Sequence, residues 1–167
     1  MTPSRAVLLA AVAATRVQVG HAWLALPART ASHFDLAGRA DGWMARGSFL
    51  IFYVLCGGLV VGAMVGTAAW IRRSSSDLIH IPHKTWWLAP GRREATLDFV
   101  RDQMEWMAVG VMVFLGTMLE ATILANRPGA DALPMTLVWG SMGALLVWVG
   151  LCVWHLLRRF SRLPTGE

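Results

Sequence analysis

Four polar side chains stand inside otherwise apolar stretches: Arg16, Gln18 and His21 in residues 6–26, and Glu120 in residues 105–125. A guanidinium, an imidazole and a carboxyl group in one apolar layer can relay a proton, hold a charged ligand, or neutralise one another as a structural ion pair. At about 1.5 Å of rise per helical residue, His21 lies ~22 Å from the start of its stretch, and Glu120 reaches about the same depth in a stretch running the same way. Arg16 falls about one to two turns nearer the start. The spacing predicts an intramembrane cluster of Arg16, His21 and Glu120, with Gln18 beside it, between the first and third helices. A structural ion pair that fixes register and a proton or ligand site both fit that spacing. His155 sits near the far end of a fourth apolar stretch, displaced from His21 by roughly 20 Å in depth, so the two cannot ligate one haem. No cofactor is expected.

Two polar segments carry further candidates. Between the first two apolar stretches, residues 27–47 include Pro27, His33, Phe34, Asp35, Gly38, Asp41, Gly42 and Trp43. Asp35 and Asp41 can accept bonds from nearby backbone N–H groups, and Gly38 and Gly42 can take positive φ, which predicts a compact, turn-rich loop. Phe34 and Trp43 are expected to fold down onto the mouth of the bundle. His33, Asp35 and Asp41 offer three cation ligands without a recognisable geometry, and His80 and His83 only two, so no metal site is predicted. In residues 72–104, Trp86 and Trp87 suit the headgroup layer, and Arg92 and Arg93 suit lipid phosphates. Pro90 can open a helix at its first turn, Glu94 favours that helix's N-terminus, and Leu97, Val100 and Met104 form an apolar stripe. The expected result is an interfacial helix joined to the third membrane helix.

The order Leu26-Pro27, His33-Phe34-Asp35, Gly38 and Asp41-Gly42-Trp43 ahead of an apolar helix resembles the domain of unknown function at the start of SdpI-type bacterial membrane proteins. The likeness covers about residues 6–60. It departs at Ala31, where that family usually has Pro, and at Arg46, near its Lys. The SdpI immunity proteins of that group protect against a secreted toxin and transmit its presence by holding a repressor at the membrane, while most members of the wider group have no assigned role. The resemblance therefore implies an extracytoplasmic peptide or toxin as ligand and a membrane-protein partner or regulator. No nucleophile elbow, phosphate loop or nucleotide fingerprint occurs, which favours a non-enzymatic role. A small transporter or proton-coupled subunit using Arg16, His21 and Glu120, and an accessory subunit of a larger complex, are the alternative readings.

The elements that must position these groups follow from composition. The 167 residues are 56% apolar and 15% charged, with nine Trp and a mean hydropathy of +0.51, against about 45–50% apolar and ~25% charged in soluble chains. Cys56 and Cys152 both lie in apolar stretches and supply neither a disulfide framework nor metal spacing. The stretches 6–26, 48–71, 105–125 and 134–157 reach the ~20 residues that a membrane helix needs. The first also has signal-peptide features, with Arg5 ahead of a short apolar run and Ala11-Val12-Ala13 beyond it; cleavage would leave three spans in the same orientation. The prediction is an all-α, polytopic membrane helix bundle, one integral domain over 1–167, with four transmembrane helices and an interfacial helix before the third.

Ten basic residues (Arg5, Arg72, Arg73, Lys84, Arg92, Arg93, Arg101, Arg158, Arg159 and Arg162) fall on the side that holds both termini, against four (Arg29, Arg39, Arg46 and Arg127) on the other. That bias orients the chain in a bacterial inner membrane with both termini cytoplasmic. The formal charge of +5 sits beside apolar blocks and faces the lipid bilayer; no nucleic-acid partner is expected. Gly58, Gly62 and Gly66, four apart, predict a face where another helix of the bundle approaches closely; a seam between two copies is the alternative.

Overall fold

A computed structural model describes residues 1–130 and 132–161. Arg162, one of the ten basic residues above, lies outside the described residues. The chain forms helix α1 (Pro3–Ala25), strands β1 (Arg29–Phe34) and β2 (Ala40–Ala45), helix α2 (Arg46–Arg73), a 3-10 turn (Ser76–Leu78), a short helix α3 (Lys84–Trp87), and helices α4 (Arg93–Ala125) and α5 (Met135–Phe160). Four of these helices are long and apolar enough to cross a membrane, so the chain is an all-α polytopic bundle capped by one small hairpin.

The expected interfacial helix is not a separate element. Helix α4 runs unbroken for 33 residues, about 50 Å, well beyond the ~30 Å hydrocarbon layer. Pro90 stands ahead of the helix rather than in its first turn. It is followed by Gly91 at φ +86°, and the helix opens with Arg92 as N-cap. Nothing between Arg93 and Ala125 then removes a backbone donor, so the amphipathic segment and the membrane segment fuse.

Helix α4 is the post on which the bundle is built. Of its most apolar 18 residues 28% are buried, against 6–11% in the other three spans. Ala108 and Val109 pack with Leu8 of α1 and with Val61, Met64 and Val65 of α2. Nearer the hairpin, Leu119 and Ile123 pack with Ala22, Leu26 and Leu50. At the other end Leu97 joins Ile79 and Leu88. Helix α5 crosses α4 where Gly110 leaves room for the Trp148 indole, which donates to the Trp106 carbonyl at 2.9 Å.

The glycine face behaves otherwise than expected. No heavy atom of another element comes within 4 Å of where a Cβ would stand at Gly58, Gly62 or Gly66. The packed face of α2 is offset by one position and includes Leu50, Val61, Met64 and Val65, with Gly57 meeting Leu115 at 3.3 Å. The four-residue period of the exposed glycines marks a face of α2 against which, among the described residues, no other element packs closely.

A pair of alanine substitutions reads this difference. A Cβ on Gly110 would lie 2.2 Å from Trp148 Cδ1, so Gly110→Ala is expected to lose about 1–3 kcal/mol through overpacking despite the helix propensity of alanine. Gly66→Ala meets open space and is expected to be neutral or to gain up to ~1 kcal/mol. Unfolding titrations in bicelles measure both.

Candidate functional site

The 27–47 segment is a β-hairpin rather than an irregular loop. The strands pair antiparallel, with Ala31 opposite Trp43 and His33 opposite Gly42. Asp35 makes the turn: its Oδ1 accepts from the amides of Ala37 at 2.9 Å and Arg39 at 2.8 Å. Gly38 closes it at φ +81°, as expected. Gly42 does not take positive φ; it is required for another reason, since a Cβ there would come 2.8 Å from His33 Cβ. That closeness lets His33 Nδ1 meet Asp41 Oδ1 at 2.5 Å across the strands.

The hairpin is fastened at base and tip. At the base, Asn126 just beyond α4 accepts from the Ala31 amide at 2.8 Å and donates to the Ala31 carbonyl at 3.0 Å. The adjacent Thr30, fully buried, donates to the Pro27 carbonyl, and Arg46 donates to the Leu26 carbonyl while stacking 4.5 Å from the Trp23 ring. At the tip, the Leu133 amide donates to the Gly38 carbonyl at 2.8 Å, and Arg39 bridges to Ala132. Among the residues left outward are His33, Leu36, Asp41 and Trp43. Trp43 is 49% exposed under the Arg29 guanidinium, so it does not fold onto the bundle mouth as expected; Phe34 is half-buried.

The intramembrane cluster is not assembled. Gln18 is the member that docks on α4, donating to the Gly116 carbonyl at 2.8 Å, and it shares a cleft with Glu120. Arg16 lines a different cavity, of about 570 Å³, between α1 and α2. His21 faces outward. Among the described residues no ion pair joins Arg16 or His21 to Glu120, because α1 turns Ala22 and Gln18 toward α4 and carries Arg16 round to its far side.

The charge network of the bundle lies instead at the end opposite the hairpin. Glu105, with 0% of its side chain exposed, receives the Ser4 hydroxyl at 2.8 Å and Arg5 through Nε at 3.2 Å and Nη2 at 2.9 Å. Arg101 pairs with Asp98 at 2.9 Å and Asp102 at 3.0 Å. Arg72 of α2 joins the same Asp98 and reaches Glu94 at 2.7 Å. One chain of charges thereby ties α1 and α2 to α4. It was missed in the sequence, although Asp98, Arg101, Asp102 and Glu105 recur at the three- and four-residue spacing of one helix face.

The Trp/Arg segment is also reassigned. Trp87 is buried against Phe160 beneath Arg159, so it belongs to the packing of α5 rather than to a headgroup layer. Arg93 is consumed by the Ser74 carbonyl at 2.7 Å, closing the end of α2. Arg92 stacks on Trp86 at 4.2 Å and donates to its carbonyl. Arg93 is thus taken up within the fold, whereas Arg92 stays exposed with its Nη groups unpaired among the described residues. Among the described residues no group of three metal-ligating side chains occurs, and His80 and His83 form no site.

Residues 8–57 match the family model of a domain of unknown function, DUF1648. The match takes in most of α1, the hairpin and the first part of α2. Comparison with curated proteins and with solved structures finds no match. The DUF1648 region rests on groups outside it: Asn126 beneath the hairpin, Leu119 and Ile123 beneath Leu26, and Gly116 beneath Gln18.

Two substitutions separate the ends. Asn126→Ala strands the Ala31 amide and carbonyl and is expected to cost about 1–3 kcal/mol locally, seen as faster amide exchange in 29–45 with little change elsewhere. Glu105→Ala frees Arg5, whose side chain is 49% exposed and can turn to water, so a loss of about 1–3 kcal/mol in global stability is expected.

Proposed function

We propose that this chain is a non-enzymatic protein of the bacterial inner membrane, similar to SdpI-type proteins, whose hairpin engages an extracytoplasmic peptide or toxin. The observation that carries this reading is a hairpin clamped at two points that nonetheless turns His33, Asp41 and Trp43 outward. A binding surface held in this way loses little conformational freedom when it meets a ligand. The DUF1648 match over the same residues and the excess of basic residues at the other end support an outward-facing hairpin. Tyrosine- and tryptophan-rich surfaces favour peptide recognition, and Trp43 beside Arg29 is such an element.

Immunity or signalling then requires an output at the opposite end. Helix α4 links the two, with Asn126 beneath the hairpin and Asp98, Asp102 and Glu105 in the charge network. A membrane-protein partner or a regulator docking near Trp86 and Arg92 is the partner this arrangement suits.

The test is survival. A strain lacking the gene is exposed to culture supernatant from toxin-secreting relatives, and complemented with wild type or with Trp43→Ala. Wild type is expected to restore growth, and Trp43→Ala to lose about tenfold or more of that protection at equal membrane abundance. Equal survival of the deleted and complemented strains would sink the reading. Labelling Ser32→Cys with an impermeant thiol reagent on whole cells checks the orientation, which predicts modification.

A further inference from the structure

The cleft that Gln18 and Glu120 share lies between α1, α4 and the start of α5, with a volume of about 470 Å³. Its polar lining is Thr15, Gln18, Thr117 and Glu120, set among alanines, Gly116, Leu137 and other apolar groups. Glu120 is five residues before the end of α4, about 7 Å below the hairpin end of the helix. Among the described residues its carboxyl group has no hydrogen bond and no ion pair.

All but one of the hydroxyl and amide donors in this cleft are already spent, the second Gln18 N–H being the exception. Thr15 gives its only hydroxyl hydrogen to the Ala11 carbonyl at 2.9 Å. Thr117 gives its own to the Val113 carbonyl at 2.9 Å. Gln18 commits an amide hydrogen to Gly116 at 2.8 Å. The oxygens of Thr15, Thr117, Gln18 and Glu120 are left as acceptors. The basic groups nearest in depth are turned away: Arg16 lines the cavity on the other side of α1, and His21 faces outward and is not among the lining residues.

An acceptor-rich cleft with one carboxyl group in an apolar surround selects its ligand by chemistry. A carboxyl group among apolar side chains and without a partner favours a ligand that brings both charge and hydrogen bonds to it. A primary ammonium supplies both a counter-charge and three N–H donors. An alcohol supplies one donor and no charge; a quaternary ammonium supplies charge and no donor. The apolar walls take the rest of the molecule. The geometry points to a binding site for a primary ammonium group carried on an apolar chain, with Glu120 as its counter-ion and Thr15, Gln18 and Thr117 as acceptors. The site is independent of ligand recognition by the hairpin.

The experiment uses the full chain in nanodiscs of phosphatidylcholine, which has no primary amine. Dodecylammonium chloride is titrated and binding is counted with isotopically labelled dodecylamine. Saturable binding is expected, with dodecanol and dodecyltrimethylammonium weaker as competitors by about tenfold or more. Glu120→Gln, which keeps the side-chain shape, should lose binding by about tenfold or more, and Thr117→Val by a few-fold. Circular dichroism confirms that both variants fold. Binding that is unsaturable, equal for dodecanol, or unchanged in Glu120→Gln overturns the site. Discs containing phosphatidylethanolamine identify the source of the ammonium. Weaker dodecylamine binding in those discs, through competition, supports the site with a lipid headgroup as occupant; unchanged binding supports it with a free amphiphilic amine.

Discussion

A carboxylate with no exposed surface, Glu105, sits on the helix that every other long helix touches, and its partners Ser4 and Arg5 belong to the first turn of α1. Removing a carboxylate from water costs several kcal/mol unless charge and hydrogen bonds replace the lost hydration. That requirement fixes where α1 must lie along α4. With Ser4 held against Glu105, Gln18 reaches the Gly116 carbonyl, Ala22 packs with Leu119 and Ile123, and the chain leaves α1 where Asn126 can receive the hairpin. The same face of α4 takes Arg72 through Asp98, so α2 is placed by the same series of charges.

The two ends of the bundle are built on different physics. At the charged end, arginines and carboxylates satisfy one another, and the segment carrying Trp87 folds inward against Phe160. At the hairpin end, backbone amides and carbonyls are satisfied by one asparagine side chain and one amide from the next connection. Between them the contacts are mostly apolar, and α1 and α2 lean on α4 more than on each other. The cavity left between α1 and α2 is where Arg16, Gly58 and Gly62 are found.

Length and hydropathy made the four helices legible, because a bilayer imposes a minimum run of apolar residues and few soluble folds imitate it. Depth was legible for the same reason. Gln18 does meet Gly116, between the heights estimated for Arg16 and Glu120. Rotation was not, since helical rise says how far along a residue lies and nothing about which neighbour it faces. Arg16 and the stripe of Gly58, Gly62 and Gly66 were misassigned on that account. The hairpin escaped notice because its strands contain Ala, Ser, Asp and Gly, which are poor strand formers. Its register depends on the Asp35 turn and on Asn126, 95 residues away. The identity of α4 as one helix was obscured by Pro90, which reads as a helix start but stands just ahead of it.

That long separation has a consequence for how the molecule comes into being. The hairpin leaves the ribosome well before Asn126, its floor, and before Leu133, which holds its tip. At roughly 5–20 residues per second of synthesis, the interval is on the order of 5 to 20 s. During that time the strands have only their own turn to hold them, and a two-stranded hairpin alone is marginal in water. The outward surface therefore matures late, after α4 has inserted and the connection to α5 has closed over it, so a chain truncated before Asn126 would display the DUF1648 region without the shape that the finished protein gives it.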